Sequence, residues 1–332
     1  MSIVVRSGSI LSHLTNQSIS TLVGIDSGFP CHSQVFSHDL YLHVKTWPVP
    51  RHVEFQGKVL FLHSIGDNKD TYAHIWPQLQ DEGYEVISYD ARGFGATSPG
   101  KLAGLSNERC TYQDLDRMIE STTENYTGPL FLAGISMGGS IVLNYMVKGK
   151  YNARINGYLS IAPLILLHPK TDQGVFVKVA LPYLTKYMPR YTASGKVKEK
   201  YMTSDPDRVK IIKNNPRAMK VSAPLAKGML DRGKKLLEPE YINQSIDMPL
   251  VVFHGTADFV NSYQATEDYF SMVKAVTDKK MFSYNNYFHD LLQETPERIE
   301  KVLEDIKFWL ADHTPQPETR VNSIETAPKG FF

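Results

Sequence analysis

Short apolar runs recur along the chain from residue 38, and each is followed by a turn and a segment with helical spacing. The alternating stretch HDLYLHVKTW over 38–47 predicts an edge strand. Strands alternating with helices favour an α/β fold, in which helices cover both faces of a mostly parallel sheet. The apolar runs that predict strands are KVLFLH (58–63), EVISYD (85–90), PLFLAG (129–134), NGYLSIA (156–162), PLVVFH (249–254) and KKMFSY (279–284).

Two segments have the spacing of amphipathic helices, TYQDLDRMIE over 111–120 and TPERIEKVLEDIKFWL over 295–310. Thr295 can cap the second helix and Pro296 suits its first position. One face of that helix is predicted to be buried, and its residues are Ile299, Val302, Leu303, Ile306, Trp309 and Leu310.

The alternation stops between residues 164 and 246, where the chain is helix-forming and irregular. Pro182, Pro189, Pro206 and Pro216 punctuate this stretch, which predicts an insertion between two core strands. The predicted organisation is an N-terminal flexible arm (1–30), a first core part (31–163), the insertion (164–246), a second core part (247–313) and a polar tail (314–332).

Composition excludes several classes of protein. A chain of 332 residues with 42% hydrophobic and 21% charged residues can bury a core, and its net charge of +1 does not indicate a nucleic-acid partner. Cys31 and Cys110 are too few for a disulfide framework and suggest reduced, intracellular thiols. No apolar run is long enough to span a bilayer. Residues 1–25 contain Arg6 and no acid, which only weakly resembles an organellar leader.

The sharpest chemical signal is GISMG at 134–138, because it follows a predicted strand and precedes the helical pattern GSIVLNYMVK. This is the setting of a nucleophile elbow, in which Gly134 and Gly138 allow a tight turn that exposes Ser136. The alternative is a glycine-rich helix entry without chemistry.

A serine hydroxyl needs a histidine base, and the histidine needs an acid to orient it and stabilise its charge. Asp258 follows the strand PLVVFH, and His289 follows the strand KKMFSY. Both should therefore lie at the same carboxyl edge as Ser136. The weaker alternatives are His313, Asp247, Asp290, His254 and Cys110; His254 is expected to hold loop backbone, and Cys110 to be a structural thiol.

Acyl transfer also requires donors for an oxyanion. The backbone N–H of Met137 is one candidate, and Ile65 in the loop HSIG (63–66) is the other. His63 is expected to shape that loop. Asp90 and Arg92 are expected to be scaffold residues.

Taken with DARGFGATSPG and APLILLHPKT, the ordered motifs GISMGG, HGTAD and FHDLLQE resemble those of the monoglyceride lipases of the α/β-hydrolase superfamily, especially the fungal members. The resemblance covers about residues 38–312. It implies an α/β-hydrolase fold with a helical cap over 164–246, and a serine hydrolase that cleaves monoacylglycerol to glycerol and fatty acid without a cofactor. It assigns Ser136, Asp258 and His289 to a catalytic triad and Ile65 and Met137 to the oxyanion hole.

Two positions depart from the family pattern, since Ser64 replaces the usual glycine and Ile135 the usual histidine. A β-carbon at Ser64 restricts the oxyanion loop. The alternatives are therefore another carboxylesterase or acyltransferase of this fold, or a weakly active lipid-binding protein at lipid droplets.

The insertion is strongly basic. Residues 165–245 hold sixteen Lys and Arg against seven Asp and Glu, a net charge of +9. Together with the apolar stretch 175–188, this predicts a cap that rests on an anionic lipid surface. A solvated basic face is the alternative. The family resemblance implies a cytoplasmic enzyme that is peripheral on lipid droplets or membranes.

Overall fold

The computed structural model describes residues 3–4, 18–25, 40–172, 174–195, 197–214 and 219–315. The strands are β1 (Ile3–Val4), β2 (Ile19–Ile25), β3 (Leu40–Trp47), β4 (Gly57–Leu62), β5 (Tyr84–Tyr89), β6 (Leu130–Ile135), β7 (Gly157–Ile161), β8 (Thr192–Gly195), β9 (Met219–Ser222), β10 (Leu250–Gly255) and β11 (Lys279–Tyr284). The helices are α1 (Trp76–Asp81), α2 (Glu108–Thr123), α3 (Met137–Lys148), α4 (Gly174–Tyr187), α5 (Pro206–Asn214), α6 (Ala223–Lys235), α7 (Pro239–Ile242), α8 (Tyr263–Met272) and α9 (Pro296–Asp312).

The main sheet has the order β1-β2-β3-β5-β4-β6-β7-β10-β11. The strands from β5 to β11 in this order pair in parallel, whereas β3 runs antiparallel to β2 and to β5. All six predicted strands are present within a residue or two of their expected limits. Five of them are largely buried, whereas β11 lies at the edge of the sheet and only its last residue is buried. The predicted α/β fold is confirmed.

The alternating stretch that ends at residue 47 is a strand, but its predicted place at an edge is wrong. The strand β3 lies between β5 and β2, and residues 19–25 pair with residues 40–46 along their whole length. The predicted flexible arm over 1–30 therefore missed β2, whose β-branched residues suit a strand. The rest of that arm, apart from β1 and Ser18, lies outside the described residues.

Alternate residues of the central strands face two separate apolar clusters. In β4, Leu60 and Leu62 pack with α2, α3 and α8, whereas Val59 and Phe61 pack with α1 and α9 on the other face. This alternation is the period of two that a strand imposes. Because both faces are covered, the loops at the carboxyl edge are the natural place for a site.

The two predicted helices are present as α2 and α9. The predicted buried face of α9 packs in the second cluster. Pro296 occupies the first turn, as predicted, but the Thr295 side chain makes no capping hydrogen bond. In α2 the cap is Asn107, whose side chain accepts from the backbone N–H of Cys110 at 2.9 Å.

The segment between β7 and β10 is mostly helical and irregular, as predicted, with two differences. Pro182 lies inside α4 instead of breaking the chain. In addition, β8 and β9 form an antiparallel pair that the pattern did not indicate. Pro216 lies outside the described residues. Thr314, assigned to the polar tail, is buried and hydrogen-bonded to Tyr84, while residues 316–332 lie outside the described part.

Candidate active site

Ser136 occupies a sharp turn between β6 and α3, with φ 55° and ψ −111°. A non-glycine residue in such a conformation costs about 1–3 kcal/mol, so its surroundings must hold it there. A β-carbon on Gly134 would lie 2.6 Å from the backbone carbon of Gly138, and one on Gly138 would lie 2.3 Å from the carbonyl oxygen of Leu62. The two glycines therefore allow strand and helix to approach closely enough to form the elbow.

Backbone hydrogen bonds on both sides hold Ser136 in this turn. Its N–H donates to the carbonyl of Ile161 at 2.8 Å. Its own carbonyl accepts from the N–H groups of Ser140 and Leu164, each at 3.0 Å. The conformation of the elbow is thus fixed by the neighbouring strand β7, by the first turn of α3 and by the start of the segment that follows β7.

The structure brings the predicted nucleophile, base and acid into one hydrogen-bonded chain. His289 Nε2 lies 3.1 Å from Ser136 Oγ, and His289 Nδ1 lies 2.8 Å from Asp258 Oδ2. All three residues are buried, with exposed fractions of 2–3%. This order of groups can transfer a proton from the hydroxyl to the imidazole while the carboxylate stabilises the resulting charge.

The Asp258 carboxylate accepts four hydrogen bonds. Oδ1 accepts from the backbone N–H groups of Val260 at 2.7 Å and Asn261 at 2.9 Å, and Oδ2 faces His289 and His254. Burial by itself would raise the pKa of this carboxyl, but the charges and hydrogen bonds of the two imidazoles outweigh burial and hold the pKa well below its usual range. Asp258 is therefore ionised.

The pKa of His289 is raised above its ordinary value of 6.5. Burial acts to lower this pKa, but the negative charge of Asp258 and its hydrogen bond outweigh burial, with smaller contributions from Asp290 and Asp67. The hydroxyl of Tyr72 links these last two carboxylates, at 3.0 Å from Asp67 and 3.3 Å from Asp290. Asp290 thus acts on the base through space and does not take the place of Asp258.

The sequence did not predict the roles of two residues beside the triad. His254 was expected to hold loop backbone, but it contacts two side chains, with Nε2 3.0 Å from Asp258 Oδ2 and Nδ1 3.0 Å from Thr266 Oγ1. Asn261 donates to the carbonyl of Ala162 at 2.8 Å and lies 3.4 Å from Ser136 Oγ. The available signal for His254 was its position four residues before Asp258, at the end of the same predicted strand.

The loop after β4 contains the predicted donor Ile65. His63 Nδ1 lies 2.7 Å from the carbonyl of Ser64, and the N–H of Ala91 donates to His63 Nε2 at 3.0 Å. His63 therefore shapes this loop, as expected. Met137 is the first residue of α3, where N–H groups have no partner within the helix. Ile65 and Met137 remain the predicted oxyanion donors.

The expected scaffold residues hold neighbouring loops in place. Asp90 accepts from the backbone N–H groups of Lys69 and Ala96, each at 2.8 Å. Arg92 forms a buried two-point ion pair with Asp114, at 2.9 and 2.7 Å. These contacts connect the loop after β5 with the loop after β4 and with α2.

The other candidates for base, acid or nucleophile lie away from Ser136. His313 ends α9 and contacts Trp309 and Asp278. Asp247 accepts from Thr277, and Cys110 is a buried free thiol in α2 whose pKa is raised by burial. Cys31 lies outside the described residues.

Both departures from the family pattern are accommodated. The positive-φ region is occupied by only four non-glycine residues in the described part of the chain, and Ser64 is not one of them. Its β-carbon therefore imposes no left-handed strain. Ile135 is buried in the apolar cluster that α1 and α9 cover. It serves the core and does not face Ser136.

The segment between β7 and β10 lies against this edge of the sheet. A β-carbon on Gly66, in the loop after β4, would lie 2.6 Å from Met219 Cγ in β9. The N–H of Asp290, next to His289, donates to the carbonyl of Met202 at 2.7 Å. A cavity of about 300 Å³ lies between residues 165–167, α4 and α6, and both apolar side chains and charged Lys and Asp side chains line it.

Across the described ranges, no group of three or more His, Cys, Asp or Glu side chains is arranged to hold a metal ion. Within the same ranges, no helix combines the length and apolar character needed to cross a bilayer.

Comparison with known proteins adds to this geometry. A family profile described as "Serine aminopeptidase, S33" matches residues 54–296. The monoglyceride lipase of Saccharomyces cerevisiae is 31% identical over 279 residues, which cover 81% of this chain and 89% of the relative. The chain belongs to the monoglyceride lipase family of α/β-hydrolases. It is accordingly a serine ester hydrolase.

Solved structures agree with this assignment. A soluble variant of the Saccharomyces cerevisiae monoglyceride lipase, in complex with a substrate analog, has a TM-score of 0.77 and 30% identity, covering 83% of this chain and 93% of that one. The monoacylglycerol lipase of Paleococcus ferrophilus has a TM-score of 0.70 and 25% identity, covering 82% of this chain and 99% of that one. The predicted family is confirmed.

Proposed function

We propose that this enzyme hydrolyses monoacylglycerols to glycerol and a free fatty acid through an acyl-enzyme on Ser136. The observation that carries the proposal is the buried chain from Ser136 through His289 to Asp258, with distances of 3.1 and 2.8 Å. The names of the similar lipases support the substrate class.

In the proposed reaction, Ser136 Oγ attacks the ester carbonyl carbon while His289 Nε2 takes the hydroxyl proton. The N–H groups of Met137 and Ile65 stabilise the oxyanion. The bond between the acyl carbon and the glycerol oxygen then breaks, and His289 returns its proton to that oxygen. Water, deprotonated by His289, attacks the acyl-enzyme in the same way and releases the fatty acid.

We further propose that residues 164–246 form a cap over this site. Support comes from Met219 against Gly66, from the bond between Met202 and Asp290, and from Leu164, which donates to the carbonyl of Ser136. The apolar part of the cavity between residues 165–167, α4 and α6, to which Leu181, Pro182 and Leu230 contribute, suits an acyl chain.

The experiment is glycerol and fatty-acid release from mono-, di- and triacylglycerols and short p-nitrophenyl esters, with alcohol acceptors added in parallel. We expect turnover of monoacylglycerols that Ser136→Ala abolishes, while Ser121→Ala, an exposed serine of α2, retains it. Turnover of short esters alone would indicate another carboxylesterase. Transfer to the added alcohol would indicate an acyltransferase, and lipid binding without turnover would indicate a lipid-binding protein.

A peripheral position on lipid droplets or membranes is a second part of the proposal. The cap has a net charge of +9, and α4 exposes Val179, Tyr183 and Tyr187 to between 61% and 68%. Lys198 and Lys200 are exposed beside Tyr201, whereas Lys196 lies outside the described residues. Basic and apolar groups together favour an anionic lipid surface.

Replacing Lys196, Lys198 and Lys200 by Glu tests this position. We expect binding to vesicles that contain phosphatidylserine to fall about a hundredfold or more at low salt, since each basic residue contributes about 1 kcal/mol. The matched control replaces the exposed Lys274, Lys280 and Lys301 by Glu, which changes the net charge equally. Equal binding by both triple variants would contradict the proposal.

A further inference from the structure

His254 contacts the same carboxylate oxygen of the triad's acid that the base contacts. It lies near the carboxyl end of β10, its side chain is fully buried, and its Nε2 is 3.0 Å from Asp258 Oδ2. The same oxygen faces His289 Nδ1 at 2.8 Å. An ionised carboxylate can only accept hydrogen bonds, so the Nε2 of His254 carries a proton.

We propose that His254 is a positioning residue for the triad, whose Nε2–H holds Asp258 Oδ2 where it accepts from His289. The inference rests on the proposed triad and does not depend on the identity of the ester substrate.

The position of His254 is fixed by contacts from a strand and from a helix. Asp258 lies in the loop between β10 and α8, whereas His254 belongs to a central strand and pairs with Ser283 of β11. The ring of Tyr263 packs edge-on against the imidazole, with the ring centroids 5.6 Å apart. Thr266 Oγ1 contacts Nδ1 from α8 at 3.0 Å. The imidazole is therefore held from the strand and from the helix.

The remaining bonds of Asp258 explain why this contact matters. Oδ1 is held by the N–H groups of Val260 and Asn261, which leaves Oδ2 to the two imidazoles. Without His254, only His289 would hold Oδ2, and the Asp258 carboxylate would be freer to rotate about its Cβ–Cγ bond. Thr266 Oγ1 lies 3.0 Å from the other ring nitrogen, Nδ1, so the imidazole is held at both nitrogens while its Nε2 faces the carboxylate.

The contact also affects the charge that His289 experiences. The carboxylates whose charge raises the pKa of His289 are Asp258 from the loop after β10, Asp67 from the loop after β4 and Asp290 from its own loop. Removing the Nε2–H of His254 leaves more negative charge on Oδ2, which favours the protonated form of His289. Reactivity falls at low pH as His289 becomes protonated, and this fall, the acid limb of the pH profile, should therefore move to higher pH.

The test is the rate at which a fluorophosphonate labels Ser136, measured across pH, because this reaction needs the triad and no lipid. We expect His254→Met to slow labelling about 10- to 100-fold, the effect of losing a hydrogen bond to a charged group, and to move the acid limb upward. His254→Gln keeps an amide donor at a similar reach and should label within about threefold of the wild type. Equal slowing of both variants with an unmoved limb would overturn the inference.

Two controls separate this result from failures of other kinds. Labelling of the wild type that Ser136→Ala does not abolish would refute the proposed triad itself. If His254→Met does not yield folded protein, Thr266→Val is compared with Thr266→Ser, which retains the hydroxyl. We expect the Val variant to label several-fold more slowly than the Ser variant with its acid limb raised, and equal rates would overturn the inference.

Discussion

The loops around His289 and the helix α4 differ in which side chains they bury. The loops bury a carboxylate, whereas α4 exposes apolar side chains. Around the base, the fully buried carboxylate of Glu294 accepts from the N–H of Phe288 at 2.7 Å and from both the N–H and the hydroxyl of Ser204. In α4, by contrast, large apolar side chains such as Val179 and Tyr183 are exposed. Folding alone fixes the first region, whereas the second lacks an apolar partner within the described chain.

The largest expected effect follows from changing the acid of the triad. Asp258→Asn keeps the shape of the side chain but presents His289 with the wrong hydrogen-bonding pattern. We expect kcat to fall about ten-thousandfold with little change in KM. Steady-state kinetics on the ester that the release assay identifies as substrate measure this fall. A loss of less than tenfold would show that Asp258 is not the acid of the catalytic triad.

Changing Glu294 should weaken both stability and catalysis. Glu294→Gln places an amide N–H₂ against donors that need an acceptor, and it removes the negative charge that lies 3.6 Å from Arg298 Nη1. We expect a loss of about 3 kcal/mol in the free energy of unfolding, read from denaturant midpoints, and about a tenfold fall in kcat. The exposed Glu304→Gln on α9 is the control and should stay within about 0.5 kcal/mol.

The pH dependence should reflect the carboxylates around His289. The imidazole must be neutral to take the serine proton, and its pKa is raised above 6.5. Activity should therefore be lost as the pH falls through a value above 6.5, seen as the acid limb of kcat/KM. An acid limb below pH 6.5 would contradict the conclusion that these carboxylates raise the pKa of His289.

The smallest effect on stability is expected in α4. Val179→Gln combined with Tyr183→Gln should change the free energy of unfolding by no more than about 0.5 kcal/mol, because both side chains are already exposed. The same pair should bind lipid vesicles about tenfold more weakly. Leu181, 7% exposed on the same helix, is the control, and Leu181→Gln should cost at least about 2 kcal/mol. A large loss of stability in the double variant would show that Val179 and Tyr183 support the fold, which contradicts the contrast between α4 and the loops around His289.

Much of the fold and of the site could be predicted because the signals are local. Each buried strand is a short apolar run, and the elbow needs glycine at 134 and 138 for steric reasons that any sequence must obey. The order of Ser136, Asp258 and His289 then follows from the strand ends.

The remaining features depend on contacts between distant segments. The sequence of residues 19–25 does not indicate that they pair with β3, so the interior position of β3 could not be predicted. The partners of His254 and Glu294 are chosen by how a strand end and a loop lie in space, and a histidine or glutamate alone does not indicate them. Met219 likewise packs on Gly66 across about 150 positions of sequence.

The separation of the triad along the chain has a consequence for how the enzyme folds. Ser136 and His289 are 153 positions apart, and the whole segment from β7 to β10 lies between them. Closing a loop of this length precedes any contact between the two side chains, and such non-local contacts form late. The elbow can form as soon as β6, α3 and their neighbours have docked, but reactivity must await the last two strands. During refolding, the moment at which Ser136 becomes reactive therefore marks completion of the sheet.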